Sequence, residues 1–187
     1  MMSDSVPTDT SAPARRARAA AGSPWRTRFW VLLAGAVQAL CFAPGPLPAW
    51  SLPFVQIASL AILAAYAWGA SGPRQAAGYG WLFGLSQFAI GVYWLTISMH
   101  QFGGLALPLA IGALLLFAAA MAAYAAGACA LSAWLCAGHG NPEQPARRQI
   151  LNAAAWACAW TLFEWLRGTL FTGFTWLNVG YAHAEGM

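Results

Sequence analysis

The sequence predicts an all-α fold: a polytopic bundle of about five transmembrane helices with its N-terminus in the cytoplasm. Three observations lead there. First, 60% of the 187 residues are hydrophobic and only 7% are charged, against roughly 25% charged in an average soluble domain. Second, the charges are clustered, with none in residues 29–73 and none in residues 75–142, counting histidine as neutral. A helix crosses a bilayer with about 20 apolar residues, so these stretches hold several crossings. Third, all nine basic residues are arginines and most flank apolar runs. That is the pattern of membrane topology. The net charge of +4 therefore does not point to nucleic acid, which needs a continuous groove of phosphate contacts.

Residues 1–27 are rich in Ala, Ser, Pro and Arg and lack an apolar period. They read as a disordered basic cytoplasmic tail. The first span covers about 28–43 and breaks at "APGPLP". Its arginine-rich approach resembles a secretory signal, and Cys41 invites a lipoprotein-signal reading. However, Leu40 stands where a small residue should precede that cysteine, and more apolar runs follow. The second span covers about 49–69 and stops at "GASGPR"; the third covers 75–98 and the fourth 105–136. The polar loop "AGHGNPEQPARR" (137–148) leads to the fifth span, 149–167, and an outer loop, 168–187.

With the N-terminus inside, Arg15, Arg16, Arg18, Arg26, Arg28, Arg74, Arg147 and Arg148 fall inside and only Arg167 outside, as the positive-inside rule requires. Trp30, Trp50, Trp68, Trp94, Trp134 and Trp165 lie near span ends, as in an aromatic belt. This layout puts "MHQFGGLALP" (99–108) and "RGTLFTGFTWLNVGY" (167–181) on the same, outer face.

The candidate chemistry is sparse. Cys41, Cys129, Cys136 and Cys158 have neither metal spacing nor a histidine partner, and read as small membrane hydrophobes. Gly80, Gly84 and Gly91 form a stripe suited to close helix packing. His100 and His183 are isolated, and no catalytic triad, phosphate loop or lysine is present. Glu164 and Arg167 share a helix face at i, i+3. They could hold a lipid headgroup, order the following loop, or form a plain interfacial ion pair. In the loop, Gly168, Gly173 and Gly180 permit bends, Phe171, Phe174 and Trp176 suit headgroup depth, and Asn178 and Tyr181 add hydrogen-bonding tips. Such a segment could dip back into the interface, shape a groove for an acyl chain, or serve as ordinary aromatic anchoring.

"FEWLRGTLFTGFTWLNVGYAHAEG" (163–186) resembles the apolipoprotein N-acyltransferase family of the bacterial inner membrane. "LCFAPGPLPAWSLPFVQIASLAIL" (40–63) is similar to that family's first hairpin, and "GWLFGLSQFAIGVYWLTISMHQFGG" (80–104) to its third helix and first long outer loop. The resemblance covers about residues 29–187. It implies transfer of an acyl chain from a phospholipid donor to the α-amino group of the diacylglyceryl-cysteine of a lipoprotein, without a cofactor. Catalysis would belong to a nitrilase-like domain outside the membrane with a Glu-Lys-Cys triad, the cysteine carrying the acyl group as a thioester. None of the four cysteines here matches that nucleophile, so no catalytic residue is assigned and this segment alone is expected to be inactive. It looks like the N-terminal membrane portion of a longer enzyme. Gly173, Phe174 and Trp176 match the family's G-F-P-W element, with Glu164, Arg167, Asn178 and Tyr181 around it, as a substrate-binding loop. Thr175 replaces the usual proline, which would have stiffened the turn, so a looser loop is expected. The rival readings are a small transporter, for which only Gln38, Gln56 and Gln87 and a few hydroxyls offer intramembrane polarity, and a non-enzymatic membrane scaffold.

Overall fold

The computed structural model describes residues 24–42, 47–136 and 145–181. The expected tail up to residue 23, most of the 137–148 loop, residues 43–46 of the "APGPLP" break and residues 182–187 lie outside them. Helices dominate and no strand occurs among the described residues.

Helix α1 covers Pro24–Ala39. A single 3-10 turn, Ala49–Ser51, leads into α2, Leu52–Trp68. Helix α3 covers Pro73–Gly91, the short α4 covers Trp94–Ile97, and a π-turn follows over Ser98–Phe102. Helix α5 covers Leu107–Leu135 and α6 Ala146–Thr169. Helices α2, α3 and α5 carry proline in their first turn, where its fixed φ and missing N–H suit a helix start.

A helix overlaps each of the five expected segments, but α1 begins at Pro24, inside the expected tail, and ends at Ala39 rather than near residue 43. The expected third span, 75–98, is not one rod: α3 ends at Gly91, and the chain turns by 49° into α4 and the π-turn. The segments Ala49–Trp68 and Leu107–Leu135 are each long and apolar enough to cross a membrane, and the bent α3–α4 pair makes a third if taken as one span. Helix α1, at 16 residues, is only about 24 Å long at 1.5 Å per residue. Helix α6 opens with Arg147 and Arg148 and carries Glu164 and Arg167 further on.

Helix α3 is the hub. It packs along α5 on one side and α1 on the other, α2 closes on both α1 and α3, and α6 lies against α5. Lipid tails are as apolar as leucine, so membrane helices associate through close packing and hydrogen bonds rather than hydrophobic burial. The α3–α5 seam shows this. A Cβ on Gly84 would stand 2.8 Å from the Ala122 Cα, and one on Gly80 would strike the Ala125 carbonyl. The glycine stripe is thus a packing seam, as its spacing suggests. Ser59 donates to the Ala34 carbonyl at 2.7 Å and sets the register of α1 and α2.

Cys41, Cys129 and Cys136 are buried as expected, but Cys158 is exposed on α6. Gln38 and Gln56 are enclosed, with no partner for either amide. No grouping of His, Cys, Asp or Glu among the described residues could hold a metal. A second apolar cluster joins Phe88 and Val92 of the α3 end, Leu114 and Ala118 of α5, and Leu177 of the outer loop. The loop after α6 is therefore part of the core, at the end of the bundle where the α3–α5 connection also emerges.

Candidate functional site

Helix α6 ends by turning back on itself. A 3-10 turn covers Leu170–Thr172, within which Phe171 has φ 50° and ψ 48°. Thr172 and Gly173 continue with φ of 73° and 79°. At Gly173 a Cβ would run into the carbonyl of Gly168, so both the dihedral and the space demand glycine here. After this reversal the Phe174 N–H donates to the Arg167 carbonyl at 2.8 Å, which ties the returning strand of the loop to the last turn of α6.

Arg167 holds the rest. Its Nη1 donates to the carbonyl of Phe174 at 3.1 Å and of Trp176 at 2.6 Å, and its Nη2 donates to the side-chain oxygen of Asn178. The guanidinium lies 5.0 Å from the ring centre of Phe88 on α3. Glu164, one turn earlier, places Oε1 3.8 Å from Nη2, and the same oxygen accepts the Val179 N–H at 3.0 Å. Arg167 is only 4% exposed. A buried charge persists when it is paired and its donors are used, and both conditions are met here. Arginine suits the post because its planar fork presents five N–H groups at fixed angles. In this geometry the pair holds the following loop.

The apolar residues of the loop divide into two sets. Phe174 packs between Phe88 and Phe117, at ring distances of 6.3 and 5.0 Å. Leu177 has φ 64° and is 2% exposed. Its side chain occupies the space where Gly91 lacks a Cβ. Trp176 is half exposed and meets Trp94 of α4 edge to face at 6.2 Å. Tyr181 is half exposed, and Phe171 stands out at 94%. Among the residues expected to line the site, Gly173, Phe174, Glu164, Arg167 and Asn178 therefore form the inner frame. Trp176 and Tyr181 face outward. The backbone on either side of Thr175 is held by Arg167, so the loop is anchored without the proline.

Sequence reading missed Phe88, Phe117, Gly91, Leu177 and Trp94 as the receptors and counterpart of this loop. Only the positions of Gly91 in the stripe and of Trp94 near a span end marked any of them. His100 makes one contact, Nδ1 to the Leu105 carbonyl at 2.8 Å, which closes the π-turn.

These features define a helical membrane domain with a preorganised, aromatic-faced loop at one end. Residues 34–187 match the family model described as the apolipoprotein N-acyltransferase N-terminal domain, and the chain belongs to that family. Among relatives, the apolipoprotein N-acyltransferase of Bordetella bronchiseptica is 47% identical over 166 residues, which are 88% of this chain and 30% of that protein. Those of Ralstonia nicotianae and Methylococcus capsulatus are 43% and 38% identical, over 86% and 82% of this chain and 29% and 28% of theirs. The chain thus spans about three-tenths of the length of the curated relatives it matches.

Proposed function

We propose that this chain is the membrane domain of a phospholipid-dependent acyltransferase that N-acylates the diacylglyceryl-cysteine at the N-terminus of apolipoproteins. In this reading it sits in the bacterial inner membrane with its N-terminus in the cytoplasm and residues 168–187 in the periplasm. Phospholipid donor and lipoprotein acceptor reach the catalytic domain across the outer loop. Gly173, Phe174, Asn178, Glu164 and Arg167 fix the shape of that loop, and Trp176 and Tyr181 present its surface.

The observation that carries this reading is the division of labour in the loop. A buried arginine fixes the backbone at Phe174 and Trp176, while the Trp176 ring stays half exposed. A preorganised aromatic with its polar edge free suits a contact with an acyl chain or a neighbouring domain. In the full-length enzyme, Trp176→Ala should lower acyl transfer from phospholipid to a diacylglyceryl-cysteine peptide. Loss of one well-packed aromatic is worth on the order of 3 kcal/mol, roughly a hundredfold in rate when felt in the reactive complex. Phe171→Ala should change the rate much less. Equal, small effects would reduce the loop to an interfacial anchor.

A further inference from the structure

Beneath the outer loop, α3, α5 and α6 line a half-open cavity. Toward the middle of the bundle it is bounded by the edge contact of Trp160 with Phe83, ring centres 6.1 Å apart. Toward the loop it is bounded by Arg167 over Phe88. Met121, Tyr124 and Phe163 are among the residues that complete its walls. About 20 Å³ of it can hold the centre of a water molecule, against the roughly 10–15 Å³ that one water needs.

The lining is more polar than a membrane interior requires. Gln87 is 3% exposed and makes no hydrogen bond among the described residues. The indole N–H of Trp160 is buried and lies toward the Glu164 carboxyl. Tyr124 and Glu164 also line the space. Oε1 of Glu164 is engaged by Val179 and Arg167, and the Trp160 indole also approaches this carboxyl. Two to four polar partners around a site of this size are what a buried water requires. An alkyl chain in the same space would leave the Gln87 amide without a partner.

We infer that one or two ordered waters occupy this cavity and join Gln87 and Tyr124 to Glu164, which makes Gln87 and Tyr124 positioning residues for the outer loop. The bridge has a mechanical consequence. Helices α3 and α6 meet here through side chains rather than close backbone approach, so the water links the carboxyl that holds Val179 to the helix that carries Phe88. A dry cavity would free the Glu164 rotamer and loosen the loop from below.

Hydroxyl-radical footprinting in lipid nanodiscs, with radicals generated from water by a short X-ray pulse, tests this directly, because an enclosed side chain reacts when water touches it. Phe163, partly buried on the cavity wall, should label at least fivefold faster in the parent than in Gln87→Met, with the fully buried Phe83 as the unlabelled reference. Gln87→Met, which keeps the volume and removes the amide, should bring Phe163 down toward Phe83 and raise labelling of the loop's partly buried Phe174 severalfold. Gln87→Glu, which keeps a polar head, should preserve the original pattern. Tyr124→Phe provides a second, milder variant should Gln87→Met not fold, with the same direction expected at Phe163. Equal labelling of Phe163 and Phe83 in the parent protein, or a Phe163 rate unmoved by these variants, would overturn the inference. The readout involves no acyl transfer, so its failure would leave the proposed function standing.

Discussion

Replacing Arg167 by leucine should release the outer loop without unfolding the bundle. The substitution leaves three acceptors without their donor: the carbonyls of Phe174 and Trp176 and the side-chain oxygen of Asn178. Each orphaned acceptor costs about 1–3 kcal/mol if it stays buried. The Glu164 carboxyl also loses its countercharge, and breaking a buried pair from one side costs about 3–5 kcal/mol. These figures overlap, and a loop at the end of the bundle can regain hydrogen bonds by opening to water. The closed loop should therefore lose at least about 3 kcal/mol, a shift of roughly 150-fold in its opening equilibrium at 1.36 kcal/mol per decade. Hydrogen exchange reads that equilibrium amide by amide. The reporters are the N–H groups of Phe174, Asn178 and Val179, bonded to Arg167, Thr175 and Glu164 in turn. Their exchange should accelerate by about two orders of magnitude in Arg167→Leu, while α5 amides around Ala122 stay as protected as before. Arg167→Lys should fall between, since one ammonium cannot reproduce the planar fork. Acceleration below threefold at all three reporters would mean that the aromatic contacts of Phe174 and Leu177 hold the loop and the guanidinium is incidental.

Gly173→Ala should loosen the same loop from its other side, because a Cβ at φ 79° meets the Gly168 carbonyl and this backbone region costs about 1–3 kcal/mol for other residues. A lowered thermal midpoint of the loop's proteolytic protection would show it. For topology, single cysteines in a cysteine-free background should react with an impermeant maleimide from the periplasmic side at position 101 and not at 140; the reverse pattern would sink the five-span arrangement. Residues 1–187 alone, which contain no lysine, should transfer no acyl group from phospholipid to a diacylglyceryl peptide above a no-protein control. Any such turnover would refute the placement of catalysis in a separate domain.

The helices were legible in the chain because helix formation in a membrane is a local matter. A backbone in lipid must satisfy its own hydrogen bonds, so an uncharged run of sufficient length becomes a helix wherever it lies. The prolines at 53, 73 and 108 and the run from Leu107 to Leu135 mark starts and extent directly. The spacing of Glu164 and Arg167 likewise placed both on one face, and the glycines of the outer loop marked where bends were permitted. Which surfaces meet was not legible. Lipid-facing and helix-facing residues are equally apolar here, so hydropathy carries no sign of the partner. Nothing local shows that Leu177 fills the space left by Gly91, that Phe174 enters between Phe88 and Phe117, or that α3 stops where the loop comes in. The role of Arg167 was decided the same way. Its charge and position are in the sequence, but its three acceptors come from a loop that reaches it only after a left-handed turn through Phe171, Thr172 and Gly173. That contact exists only once the chain has folded back, and it turns an exposed-looking arginine at a span end into the buried centre of the site.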